Sequence, residues 1–159
     1  LIRRKAIFFL HTNNNRKANN YLEKYNEVLN YHSVTEAEIV SRIANVYWEA
    51  DLLDEAEDAF RQVLKEFDET PSGLNDLAGF LIETGRDVDN GLELIKEALN
   101  ADPNQWYYLH TKGWGLFKSG KYDEALNTLY HAWDHSPLYD QNLYRHIKVV
   151  EKALASQNQ

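Results

Sequence analysis

Residues 112–137 read KGWGLFKSGKYDEALNTLYHAWDHSP, and this stretch decides how the rest of the chain is read. A helical apolar pattern runs into Gly120, a residue suited to the left-handed position that closes a helix. A second amphipathic run begins at Tyr122 and stops before Pro137, whose ring and missing N–H block continuation. The stretch predicts two helices joined by a short turn. The same punctuation occurs one period earlier: Gly85 precedes Gly120 by 35 residues, and Pro103 precedes Pro137 by 34. Small residues keep that step. Ala56, Gly91 and Ala125 are separated by 35 and 34 residues, as are Val63, Ala98 and Ala132, marking close approaches between helices. No segment shows a convincing alternation of period two, so the chain reads as all-α. A period near 34 with two helices per unit predicts a helical solenoid.

Cap chemistry agrees. Thr35-Glu36-Ala37-Glu38 is a capping box and predicts a helix starting near Glu36. Thr70-Pro71 places a hydroxyl before a proline at the first helical position, where the missing N–H has no intrahelical partner to lose, and predicts a helix starting there.

These residues resemble the tetratricopeptide repeat, whose unit pairs a helix A with a helix B. In residues 105–138, Gly113, Gly120, Tyr122, Ala125, Leu129, Ala132 and Pro137 fall at the offsets the family uses for small, aromatic and breaker residues. Residues 71–104 match through Leu77, Ala78, Leu81, Gly85, Gly91, Ala98 and Pro103, with one extra residue in the Arg86-Asp87-Val88 turn. Residues 36–69 match through Ile43, Ala44, Tyr47, Ala56, Phe60 and Val63. There, Asp51 stands where glycine is usual and Asp68 where the closing proline is usual. The resemblance covers about residues 37–138 and implies a right-handed helical-hairpin solenoid of three recognisable repeats within a single domain, 1–159. Residues 1–33 read as two further helices, 1–11 and 16–31, or a degenerate repeat. Ala18 lies 38 residues before Ala56, off the period unless the loop near Tyr31-His32-Ser33 is long. Leu143, Ile147, Val150 and Leu154 share one face of a capping helix expected over 139–156, which should cover the end of the third repeat; the last residues, Gln157-Asn158-Gln159, are expected to fray.

Composition limits the functions. With 17 basic and 25 acidic residues the chain carries −8, which argues against nucleic acid. The longest apolar run, Ala6 to Leu10, falls far short of the roughly 20 residues a membrane span needs, and no membrane insertion is expected. Zero cysteines exclude disulfides and thiol chemistry while leaving the compartment open, cytoplasm or periplasm and secretion equally. A chain beginning at Leu1 without any methionine reads as a fragment or processed form.

Catalytic constellations are lacking: there is no G-x-S-x-G elbow and no phosphate-cradling glycine motif, and paired acids such as Asp123-Glu124 begin B helices where they complement the dipole. His131 and His135 have a metal-ligand spacing but no third ligand in register, and the register places His135 against the following helix. No catalytic residue, metal or cofactor is expected.

What remains is the inner face that the resemblance assigns to the A helices. Trp48, Ile82 and Phe117 share its twelfth position and are expected to stack as an apolar ridge. Asn45, Glu83, Tyr107, His110 and Trp114 complete the candidate binding set. Aromatics in a concave surface make good anchors, whereas aromatics at the twelfth position also pack helix A on its neighbour. Both readings stand, as does filling of the groove by the N-terminal helices. Members of the family that grip acidic chaperone tails have Lys and Arg where this chain has Ser41, Asn45, Asp76, Tyr107 and Thr111, and only Asn45 fits. The expected function is therefore non-catalytic binding of a protein or peptide that is hydrophobic with some basic character, and not an acidic chaperone tail. The alternative is a structural or accessory segment of a larger enzymatic or secreted protein, packing on a neighbouring domain.

Overall fold

The computed structural model describes residues 1–67 and 70–157; Asp68, Glu69, Asn158 and Gln159 lie outside the described residues. Among the described residues there are nine helices and no strand. They are α1 (Ile2–His11), α2 (Asn15–Tyr31), α3 (Glu36–Glu49), α4 (Leu53–Glu66), α5 (Pro71–Thr84), α6 (Val88–Ala101), α7 (Trp106–Lys118), α8 (Tyr122–His135) and α9 (Gln141–Gln157). Both helix starts read from cap chemistry are found. Thr35 Oγ1 accepts from the Glu38 N–H at 3.3 Å, and Thr70 Oγ1 accepts from the Gly73 N–H at 3.1 Å. The Glu38 carboxylate is engaged by Arg42 one turn on, at 2.5 Å.

Four A-to-B turns close in one way. The residues at the bend, Asn13, Asp51, Gly85 and Gly120, all have positive φ, between 55° and 77°. In each turn the N–H one residue further on donates to the carbonyl five residues back, as Asn14 to Phe9, Leu52 to Tyr47, Arg86 to Leu81 and Lys121 to Leu116. This is the Schellman closure, which satisfies carbonyls that the helix end leaves unpaired. Asp51 thus does the work of the usual glycine, at the cost of a left-handed backbone that a side chain disfavours. The fourth residue of each B helix is small and buried: Ala18, Ala56, Gly91 and Ala125. So α1–α2 is a hairpin of the same build. Its 38-residue offset comes from the length of α2, 17 residues against 14 in α4, and not from a longer loop.

The chain divides into two compact units, residues 1–73 and 74–159. In the first, Ala6, Leu10, Ala18, Val46 and Ala50 form a core edged by Phe9, Tyr21, Tyr25 and Tyr47. Helix α1 packs on α2 and α3, and α3 on α4, where Phe60 is 1% exposed. Arg3 of α1 holds Glu49 of α3 through two hydrogen bonds, 2.6 and 3.0 Å. In the second unit, Leu109, Leu116, Ala125, Leu129 and Ala132 are joined by Leu143, Ile147 and Val150 of α9, with Leu154 packed at the edge. Fully burying a leucine or isoleucine contributes about 1.5–3 kcal/mol, so α9 is held chiefly by these three side chains. Its outer face carries Glu151, which meets both Lys148 (2.8 Å) and the Tyr130 hydroxyl (2.6 Å), beside the exposed Tyr144 and Val149.

Candidate functional site

In the second unit, helical spacing puts Tyr107, His110, Thr111, Trp114 and Lys118 on one side of α7, and their partners come from α5 and α9. Thr111 Oγ1 lies 2.9 Å from Asn75 Oδ1 of α5. The Trp114 Nε1–H donates to the Glu83 carboxylate, also on α5. On the α9 side, His110 Nε2 and His146 Nδ1 share a hydrogen bond of 2.9 Å. The His146 ring stacks on Trp114 with centroids 3.7 Å apart and planes 10° apart. Phe117 stacks on Trp114 at 4.8 Å, and the Lys118 amine lies 5.4 Å from the indole centroid. The outcome is a ladder of side chains across α5, α7 and α9.

Its electrostatics follow from burial. Desolvation lowers His110, opposed by the carboxylates of Asp140 and Glu83. Desolvation also pushes His146 down to about 4, helped by His110, Arg145 and Lys118 and opposed by Asp140. Both imidazoles are neutral near pH 7, which lets one N–H donate to the other ring's bare nitrogen. Two imidazolium ions would bring two protons into the same 2.9 Å gap.

The structure sorts the candidate residues. Glu83, His110 and Trp114 come together, whereas Tyr107 shares their side of α7 with its carbonyl accepting from Thr111 Oγ1 at 3.1 Å and its ring 4.6 Å from Tyr108. Ile82 does not belong: it is 1% exposed, its side chain filling the space beside Gly91 and Gly115. Ile82 is therefore enclosed in the core and offers no open contact face. Phe117 is half-buried against the core and Tyr122, so much of its ring is packing. Asn45 and Trp48 lie in the first unit, both half-buried. Asn45 Nδ2 donates to the Ser41 carbonyl at 2.9 Å, and Trp48 meets Phe60 edge-on at 6.5 Å. The expectation that His135 packs against the next helix is wrong: His135 is exposed, with Nδ1 2.9 Å from the His131 carbonyl. Among the described residues no three His, Asp or Glu side chains come together as a metal-ion cage, and no helix is long and apolar enough to cross a membrane. His146 was missed. The only signal for it was its place beside Ile147 on the buried stripe of α9, three residues after Leu143.

No protein-family model and no curated relative matches the chain. Solved structures do. The Sgt2 TPR domain from Aspergillus fumigatus is similar at a TM-score of 0.68 and 16% identity, over 79% of this chain and 83% of its own. The first TPR of Spaghetti (RPAP3), solved bound to the HSP90 peptide SRMEEVD, gives 0.64 and 16%, over 76% and 94%. MamA of MSR-1 gives 0.61 and 16% over 99% and 87%. The chain thus has the tetratricopeptide-repeat fold, an all-α helical-hairpin solenoid.

Proposed function

We propose that the chain is a non-catalytic protein-interaction module and that the α5–α7–α9 ladder is a contact surface for a peptide with hydrophobic and basic side chains. The observation that carries the reading is Trp114: a half-buried indole with Glu83 on its N–H and His146 and Phe117 on its rings. An anchored aromatic gives large contact area at small entropy cost, and Glu83 supplies negative charge beside it. Catalysis is disfavoured because the polar groups of the ladder hydrogen-bond one another instead of converging on an open point. Although the RPAP3 domain was solved with an acidic peptide, this chain offers Asp76, Tyr107 and Thr111 where a terminal carboxylate would need cations.

Calorimetric titration with a short Leu–Arg peptide and with SRMEEVD tests this. The Leu–Arg peptide should bind, and Trp114→Ala should weaken it roughly tenfold or more with an unchanged far-ultraviolet circular dichroism spectrum. Binding of SRMEEVD that Trp114→Ala weakens, or unchanged Leu–Arg affinity in the variant, would overturn the reading. Loss of helical signal in Trp114→Ala would instead assign the indole to the core, and Glu83→Gln then decides, since a packing role predicts no change in peptide affinity.

A further inference from the structure

Charge is distributed unevenly along the chain. Residues 1–35 hold six cations, Arg3, Arg4, Lys5, Arg16, Lys17 and Lys24, against two acids, Glu23 and Glu27. That is a surplus of four positive charges in a chain of −8, so residues 36–159 carry −12. Three of them, the lysines, converge on a pair of rings, whereas Arg3 is paired with Glu49. Phe9 of α1 and Tyr21 of α2 stack with centroids 5.5 Å apart and planes 13° apart. The Lys17 amine lies 5.1 Å from the Phe9 ring, and those of Lys5 and Lys24 lie 5.2 and 5.3 Å from the Tyr21 ring. Beside this pair opens a cleft of about 830 Å³ whose lining includes Arg16, Lys17, Asn19 and Asn20, with Glu23 as its one acid. All four of those residues are exposed.

We propose that this cleft on the α1–α2 hairpin binds an acidic segment of a partner protein, in which carboxylates flank an apolar side chain. The ammonium and guanidinium groups give charge-assisted hydrogen bonds to carboxylates, the asparagine amides add donors, and the two rings form an apolar floor. A short acidic segment matched to the patch meets only the local surplus. A nucleic acid extending past it meets the field of the other −12 charges, which favours the peptide. This surface lies in the first unit, whereas the ladder residues Asn75 to His146 lie in the second.

The test is fluorescence anisotropy on the full chain at low salt, with a short labelled Glu–Leu peptide, its Gln–Leu counterpart and a uridine oligonucleotide as probes. The variant Arg16→Asp with Lys17→Glu places acids at the first-turn positions where α8 already has Asp123 and Glu124, which favours the helix. The Glu–Leu peptide should bind, weaken with added salt, and lose roughly tenfold or more of its affinity in that variant while the thermal midpoint holds or rises. Trp114→Ala should leave this binding intact. Equal binding of the Gln–Leu peptide, tighter binding of the oligonucleotide, undiminished binding by the charge-reversed variant, or absence of Glu–Leu binding would each overturn the proposal.

Discussion

The first and last hairpins, α1–α2 and α7–α8, share a backbone plan and differ in almost everything laid over it. Both turns have a positive φ, 55° at Asn13 and 77° at Gly120, and both B helices bury an alanine four residues in, Ala18 and Ala125. The next turn of the B helix diverges: Leu22 is half-buried, whereas Leu129 is fully buried. The A-helix residue facing this region is Ala6 in one and Gly113 in the other. First-turn charges invert, from Arg16-Lys17 to Asp123-Glu124. The hairpin therefore needs a bend residue that tolerates positive φ, a small buried residue and an apolar stripe. Surface charge is left over for recognition, even where Arg16 and Lys17 oppose the dipole of their own helix.

Exchanging equivalent residues breaks the comparison most strongly at the leucines. Leu129→Ala should destabilise by about 2–5 kcal/mol, and Leu22→Ala by clearly less because part of that side chain already faces water, as urea unfolding would show. Next comes pH. His146 has a folded-state pKa of about 4 against an ordinary 6.5, so the unfolded chain binds its proton first as pH falls. The contribution is intact above pH 6.5 and is lost progressively as pH drops from there to about 4. Urea midpoints measured across that window should fall less steeply in His146→Gln than in the natural chain. Third, an added methyl at Gly113 would sit 2.7 Å from Leu129 Cγ and Cδ2. Gly113→Ala should cost about 1 kcal/mol net, overpacking of about 1–3 partly offset by about 1 of helix propensity, and Leu129→Ala should relieve it in a double-mutant cycle. The smallest effect has the opposite sign: Asp51→Gly should stabilise by about 0.5–1 kcal/mol, raising the thermal midpoint, because φ there is +63°.

Much of the fold was legible because punctuation is local. Gly85, Gly120, Thr35 and Thr70-Pro71 act on the backbone within a few residues of themselves, so their meaning survives without tertiary information. The two helices of the first hairpin were legible too, but Asn13 does glycine's work there under another side chain and the extra residues of α2 shift its period, which obscured the repeat. The candidate site was less legible. Register put Glu83, His110 and Trp114 on one inner face, but it could not say that Ile82 would be enclosed beside two glycines or that His146 would reach across to His110.

By itself the sequence determined which residues turn, which face inward along each helix, and that basic charge gathers at the start of the chain. These depend on spacings of a few residues or on composition. Only the tertiary structure decided which inward residues are buried, which imidazoles meet, and which cations gather around Phe9 and Tyr21. Those outcomes depend on distances between side chains from different helices, and a repeat period sets the order of helices without setting how deeply each neighbour covers the next.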